Sequence, residues 1–124
     1  MGFREYCILR SMIMGAKASD RVLVTCHLMY LVDRLRNIQG YRIVKEIPDD
    51  KNGVIFEMSH DMSFSSWGEN ITVEMYPFNE TQTVVEVLSK CSLPTQVFDM
   101  GQNKNNVTDI LSYLLLGLQV QKGY

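Results

Sequence analysis

His60 is the side chain in this sequence best suited to moving a proton near neutral pH. It stands in the series Val54, Phe56, Met58, His60, Met62 and Phe64, spaced two apart, so a strand over residues 54–64 sets the imidazole among apolar neighbours on one face. There it can act as an acid or base at the wall of a pocket. The commoner role for such a residue is a core histidine held by one hydrogen bond. The alternate positions Glu57, Ser59, Asp61 and Ser63 are polar, and Glu74 and Glu86 hold equivalent places in two later runs. Two of these carboxylates meeting across neighbouring strands would form an acid/base pair, although a row of them on a polar face is more often simply solvated.

Other chemical signatures are weak. His27 adjoins Cys26, whereas two metal ligands on one helix need a spacing of three or four. No metal and no cofactor are expected. No Gly-rich phosphate loop follows a strand-like run, and Gly-x-Ser-x-Gly is absent. Asp99, Gly101, Asn103, Asn105 and Asn106 are turn and capping residues before a helical run. Asn103 is read as the cap and Gly101 as a positive-φ position, with anion binding at the helix start as the functional alternative. Methionine is abundant, at eight residues, and Met12, Met14, Met29, Met58, Met62 and Met75 fall on apolar faces. Such side chains adapt to irregular ligands as well as to ordinary cores. The candidate ligand-binding wall is therefore Met58, His60, Met62 and Phe64 on a strand, facing Leu111, Leu114 and Leu115 on a helix.

The elements that must position these residues follow from periodicity. Residues 4–14 are apolar on both faces and read as a first strand, with Tyr6, Ile8 and Met12 on one side. Ser19 reads as the N-cap of a helix opening at Asp20, whose stripe is Val24, Leu28, Leu31, Leu35 and Ile38 and whose left-handed terminator is Gly40. Tyr41, Ile43 and Ile47 then alternate with Arg42 and Glu46, and the cluster from Pro48 to Gly53 makes a hairpin turn into the 54–64 strand. A turn holding Trp67 leads to Ile71, Val73 and Met75; a third, at residues 79–82, leads to Val85 and Val87. Val107, Ile110, Leu111, Leu114, Leu115 and Leu118 form the stripe of a closing helix over residues 103–118. The expected fold is α+β: an antiparallel sheet of about five strands with two helices on one face, in the order β-α-β-β-β-β-α, as a single domain over residues 1–124.

Composition bounds the partners. With 124 residues, 46% of them hydrophobic, 21% charged and a net charge of −2, the chain reads as an ordinary soluble globular domain. No two basic residues are adjacent, so a surface tracking nucleic-acid phosphates is not expected. The longest apolar runs, such as residues 28–32, fall far short of the roughly 20 residues of a membrane span. The beginning of the sequence lacks a signal-peptide pattern, and Cys7, Cys26 and Cys91 are isolated and odd in number. Both features read as thiols kept reduced in a cytoplasm.

In this element order, strand, helix, four strands, helix, the chain resembles the helix-grip group of α+β domains. That group includes START-like lipid carriers, polyketide cyclase-like proteins and, more remotely, the half-domain of the TATA-binding protein. The stretch with Thr95, Gln96, Asp99, Gly101, Asn103, Asn106 and Val107 is similar to a pre-helix segment of small uncharacterised bacterial proteins. The helix-grip resemblance implies a ligand held between the sheet and the C-terminal helix. The DNA-binding role of the TATA-binding half does not carry over, because the outward positions hold Glu57, Asp61, Glu74 and Glu86, which repel a phosphate backbone.

The reading taken forward is a non-enzymatic domain that binds a small apolar or amphipathic ligand. The first alternative is a protein-interaction or self-assembling module, such as a homodimer, resting on Tyr6, Ile8, Met12 and Trp67. The second is a small enzyme using His60 with a carboxylate.

Overall fold

The computed structural model describes residues 17–60, 69–91 and 102–122. They form six strands and two helices: β1 (Lys17–Val24), α1 (Leu28–Arg36), β2 (Tyr41–Pro48), β3 (Val54–His60), β4 (Glu69–Pro77), β5 (Thr83–Cys91), α2 (Gln102–Leu115) and β6 (Val120–Lys122). The strands make one sheet in the order β2-β3-β4-β5-β1-β6, with every pairing antiparallel. The fold is thus α+β in the expected order, extended by a short sixth strand. Four consecutive strands, β2 to β5, form a meander, and β1 closes the far side against β5.

The meander follows from strict alternation. Phe56 and Met58 on β3, Ile71, Val73 and Met75 on β4, and Val85 and Val87 on β5 are all buried on one face. Leu31, Val32 and Leu35 of α1 join Val107, Ile110, Leu111 and Leu114 of α2 over that face in a single apolar cluster. Each such side chain contributes about 1.5–3 kcal/mol by leaving water. The turns carry their own chemistry. Asn79 Oδ1 accepts from the backbone N–H groups of Thr81 at 3.0 Å and Gln82 at 2.9 Å, closing the β4–β5 turn. In the β2–β3 turn Asn52 has φ 64°, and Gly53 runs so close to β4 that a Cβ would stand 2.0 Å from the Met75 carbonyl oxygen.

The first helix departs from expectation. Ser19 and Asp20 lie within strand β1, and the helix starts only at Leu28, capped by His27, whose Nδ1 accepts from Met29 N–H at 3.2 Å. Residues 17–24 pair along their whole length with β5, and Ala18, Asp20, Val22 and Val24 are buried on the helix side of the sheet. Long-range pairing of β-branched residues overrides the local capping signal there. Val24 is therefore a strand residue, while Leu28, Leu31 and Leu35 keep their helical places. The helix ends at Arg36 with Asn37 as its cap, so Gly40, at φ 84°, shapes the turn into β2 instead of terminating the helix. The strand expected over residues 4–14, with Tyr6, Ile8 and Met12, lies outside the described residues, as does the turn holding Trp67.

Two smaller corrections concern the sheet edge and the second helix. A bulge between Ile43 and Lys45 shifts the β2–β3 register, so Ile43 pairs with Met58 but Ile47 pairs with Ile55, on the opposite face. The same shift brings Glu46 opposite Phe56, on the helix side, where Arg36 of α1 hydrogen-bonds its carboxylate. At the other end α2 stops at Leu115; Gly117, at φ 80°, turns the chain, and Thr25 N–H donates to the Gln119 carbonyl at 2.9 Å as β6 joins β1.

Candidate functional site

Between the sheet and the first turns of α2 lies a strip of buried polar side chains. Ser89 continues the inward series of Val85 and Val87 on β5, and Asn103 and Asn106 extend the stripe of Val107 and Ile110 toward the start of α2. Ser89, Asn103 and Asn106 are at most 1% exposed. Ser89 Oγ donates to Asn103 Oδ1 at 2.7 Å and accepts from Asn106 Nδ2 at 3.1 Å. Asn106 Oδ1 accepts in turn from Gln102 Nε2 at 2.8 Å and from the Tyr41 hydroxyl at 3.3 Å. Such a network is stable only when its members satisfy one another, because each orphaned buried polar group costs about 1–3 kcal/mol.

This arrangement corrects the reading of Asn103. The helix begins at Gln102, so Asn103 lies within its first turn, and its side-chain oxygen turns into the sheet toward Ser89. Gly101 lies outside the described residues. The polar strip had a readable signal: Asn103, Asn106, Val107 and Ile110 share the i, i+3, i+4, i+7 stripe that buries the helix.

The strip adjoins the expected ligand wall. Ser89 is in register with Ile71 of β4, which is in register with Met58 of β3; one step along, Tyr41 of β2 pairs with His60. Met58, Leu111 and Leu114 belong to the buried cluster at 2%, 3% and 0% exposure, with Leu115 half-buried against it. His60 is described by its strand position, and Met62 and Phe64 lie outside the described residues. The contact between sheet and α2 therefore grades from apolar at Leu111 and Leu114 to hydrogen-bonding at Asn106 and Tyr41.

The carboxylates occupy the opposite face. Glu74 and Glu86 are cross-strand partners, whereas Glu57 is exposed opposite Thr72, and Asp61 lies outside the described residues. Arg21 approaches Glu86 at 3.9 Å, and Lys51 from the β2–β3 turn approaches Glu74 at 3.8 Å while standing 4.7 Å from the Tyr76 ring centroid. Burial first, and then a hydrogen bond with Asp49, hold the Glu74 carboxyl above its ordinary value. At Asp49 burial also pushes upward, but hydrogen bonds with Glu74, with Asp50 and from Lys51 N–H outweigh it and hold that carboxyl low. The thiol of Cys26 is raised, chiefly by burial.

Among the described residues no group of three or more His, Cys, Asp and Glu side chains is arranged to hold a metal ion. No helix among them is long and apolar enough to cross a membrane. No protein-family profile matches the chain, and no curated protein resembles it significantly.

Proposed function

We propose that this chain is a non-enzymatic binding domain that takes a small amphipathic molecule between the sheet and α2. Its apolar part would lie along Met58, Leu111, Leu114 and Leu115, with His60, Met62 and Phe64 completing the wall. Its polar group would meet the Tyr41, Ser89 and Asn106 end. One observation carries the reading: a hydrogen-bonded strip of Ser89, Asn103 and Asn106, fully buried beside the apolar side chains of α2 and the sheet. A layer serving only as a core has no need of that polarity, and an apolar space with a few convergent polar groups is the usual composition of a small-molecule site. The strand order, with β1 closed against the last strand of the meander and α2 packed on both, supports the helix-grip likeness. The reading carries with it a cytoplasmic, bacterial setting, in keeping with the unpaired Cys26 thiol.

Thermal melts with medium- and long-chain fatty acids and their uncharged alcohols test this. A ligand at one hundred times its Kd stabilises by about 2.7 kcal/mol, a rise of several degrees in Tm. Absence of any shift across both series would remove the carrier reading.

A second reading, a protein-interaction or self-associating module, is favoured by the exposed apolar side chains of the helix layer. Met29 and Tyr30 are 50% exposed on α1 and Leu116 is 73% exposed just beyond α2, at the end where Thr25 N–H bonds the Gln119 carbonyl. Exposed apolar side chains of this size are typical of contact surfaces. Light scattering at high concentration separates the two: a strict monomer leaves self-association without support.

A further inference from the structure

Of the seven asparagines in the chain, Asn52 alone is followed by glycine. That neighbour matters chemically, because Gly53 carries no Cβ to keep its backbone nitrogen away from the side-chain carbonyl carbon of Asn52. Asn52 is exposed in the β2–β3 turn at φ 64°, whereas Asn103 and Asn106 are buried and Asn79 is tied into its own turn by four hydrogen bonds. Water reaches the Asn52 amide directly.

The fold restrains the same bond. Asp49 N–H donates to the Gly53 carbonyl at 2.9 Å and Asn52 N–H to the Asp49 carbonyl at 3.2 Å, closing residues 49–53 into one unit. A Cβ on Gly53 would stand 2.0 Å from the Met75 carbonyl oxygen and 2.7 Å from Tyr76 Cα, so the unit lies against the backbone of β4. Lys51 clamps it there, with Nζ 4.7 Å from the Tyr76 ring centroid and 3.8 Å from the Glu74 carboxylate. The peptide between Asn52 and Gly53 is held at both ends, and it turns only when the unit lifts off β4.

We propose that Asn52 is a self-modifying site, whose conversion to isoaspartate is gated by opening of the turn and leaves the turn unable to close again. In the opened turn the Gly53 nitrogen attacks Asn52 Cγ; a C–N bond forms, and the side-chain nitrogen leaves as ammonia with the proton that the Gly53 amide gives up. Water then cleaves the five-membered imide at either carbonyl. Cleavage at the side-chain carbonyl gives aspartate; cleavage at the main-chain carbonyl gives isoaspartate, in which the backbone runs through the former side chain and is one methylene longer. The seat against Met75 and Tyr76 has no slack for a longer backbone one residue away, so isoaspartate keeps the turn off β4. Among the described strands β2 pairs with β3 alone, and its end at Pro48 then loses its anchorage.

Incubation of the full chain at mildly alkaline pH and body temperature, followed by peptide mapping with mass spectrometry, tests the site. Asn52 converts before any other asparagine, yet about tenfold more slowly than in the same chain unfolded in urea. K51A removes the clamp, and its conversion when folded, taken relative to its own rate in urea, rises about threefold. Ion exchange separates the products by their added negative charge. The isoaspartate fraction loses amide protection at Asp49, whereas N52D, which carries the charge without the methylene and tolerates the positive φ, keeps that protection within about twofold. Equal rates folded and in urea, another asparagine converting first, an unchanged K51A, or an isoaspartate fraction with the Asp49 amide still protected overturns the proposal.

Discussion

Arg34 and Tyr113 clasp each other reciprocally across the two helices: Arg34 Nε donates to the Tyr113 carbonyl at 2.9 Å, and the Tyr113 hydroxyl donates to the Arg34 carbonyl at 2.7 Å. The guanidinium carbon also lies 5.3 Å from the Tyr113 ring centroid and 5.9 Å from that of Tyr30, whose hydroxyl accepts from Arg34 Nη1 at 3.0 Å. Each partner thus caps a backbone carbonyl on the other's helix, and the stacked rings shield the cation.

The clasp makes a measurable prediction. Y113F removes one hydrogen bond and is expected to cost about 0.5–1.5 kcal/mol in urea denaturation. R34A removes the other bond and both stacking contacts and is expected to cost more, about 1–3 kcal/mol. The double variant costs less than the sum, because each residue's contribution depends on the other being in place.

Glycine positions in the structure separate two kinds of strain. At Gly40 and Gly117 a Cβ would meet nothing within 4 Å, but φ is 84° and 80°, so alanine there costs about 1–2 kcal/mol through the backbone alone. Gly53 reverses the case: the added methyl would stand 2.0 Å from the Met75 oxygen and 2.7 Å from Tyr76 Cα and Cβ. G53A is expected to destabilise by more than about 3 kcal/mol, since neither backbone can give way without breaking the β3–β4 pairing. Chemical melts of the three variants rank them directly, and a G53A as mild as G40A would refute the close approach.

The meander was legible because its strands have one dry face and one wet face, so period-two alternation at Phe56, Met58, Ile71, Val73, Val85 and Val87 carried the whole signal. Strand β1 was not legible for the opposite reason. Ser19 before Asp20 imitates a helix cap, and Val24 falls in phase with Leu28, Leu31 and Leu35, while the β5 partners that make 17–24 a strand lie about 60 to 70 residues away. The face of Ile47 depends on a bulge that no local pattern announces. Within the candidate site the apolar members Met58, Leu111 and Leu114 could be read from spacing. The polar members escaped because a serine within a strand such as Ser89 is more often on the wet face, and an asparagine near a helix start such as Asn106 is more often a capping or turn residue than a core one.

Those polar members supply the next prediction. S89A deletes the hydroxyl that donates to Asn103 and accepts from Asn106, taking one hydrogen bond from each of two buried amides. The expected loss is about 1–3 kcal/mol, and the double variant S89A/N103L, which removes one of the orphaned partners, recovers part of it. Urea midpoints at constant m-value provide the check, and a neutral S89A would mean that the strip is more open to water than its burial implies.

His60 separates a ligand wall from a structural core, since its backbone pairs with that of Tyr41, whose hydroxyl reaches Asn106. If the imidazole belongs to a ligand wall, leucine in its place keeps stability within about 1 kcal/mol, because the apolar side chain offsets the lost hydrogen bond. The same change abolishes the rise in Tm produced by fatty acids, as the wall of the site loses its imidazole. A histidine serving only the core behaves in the reverse way: its removal strands a buried partner at a cost of roughly 1–3 kcal/mol and leaves any ligand response unchanged. The binding reading predicts the first pattern for H60L, measured by melts of both proteins with and without ligand. The second pattern would withdraw His60 from the site and leave Tyr41, Ser89 and Asn106 as its polar end.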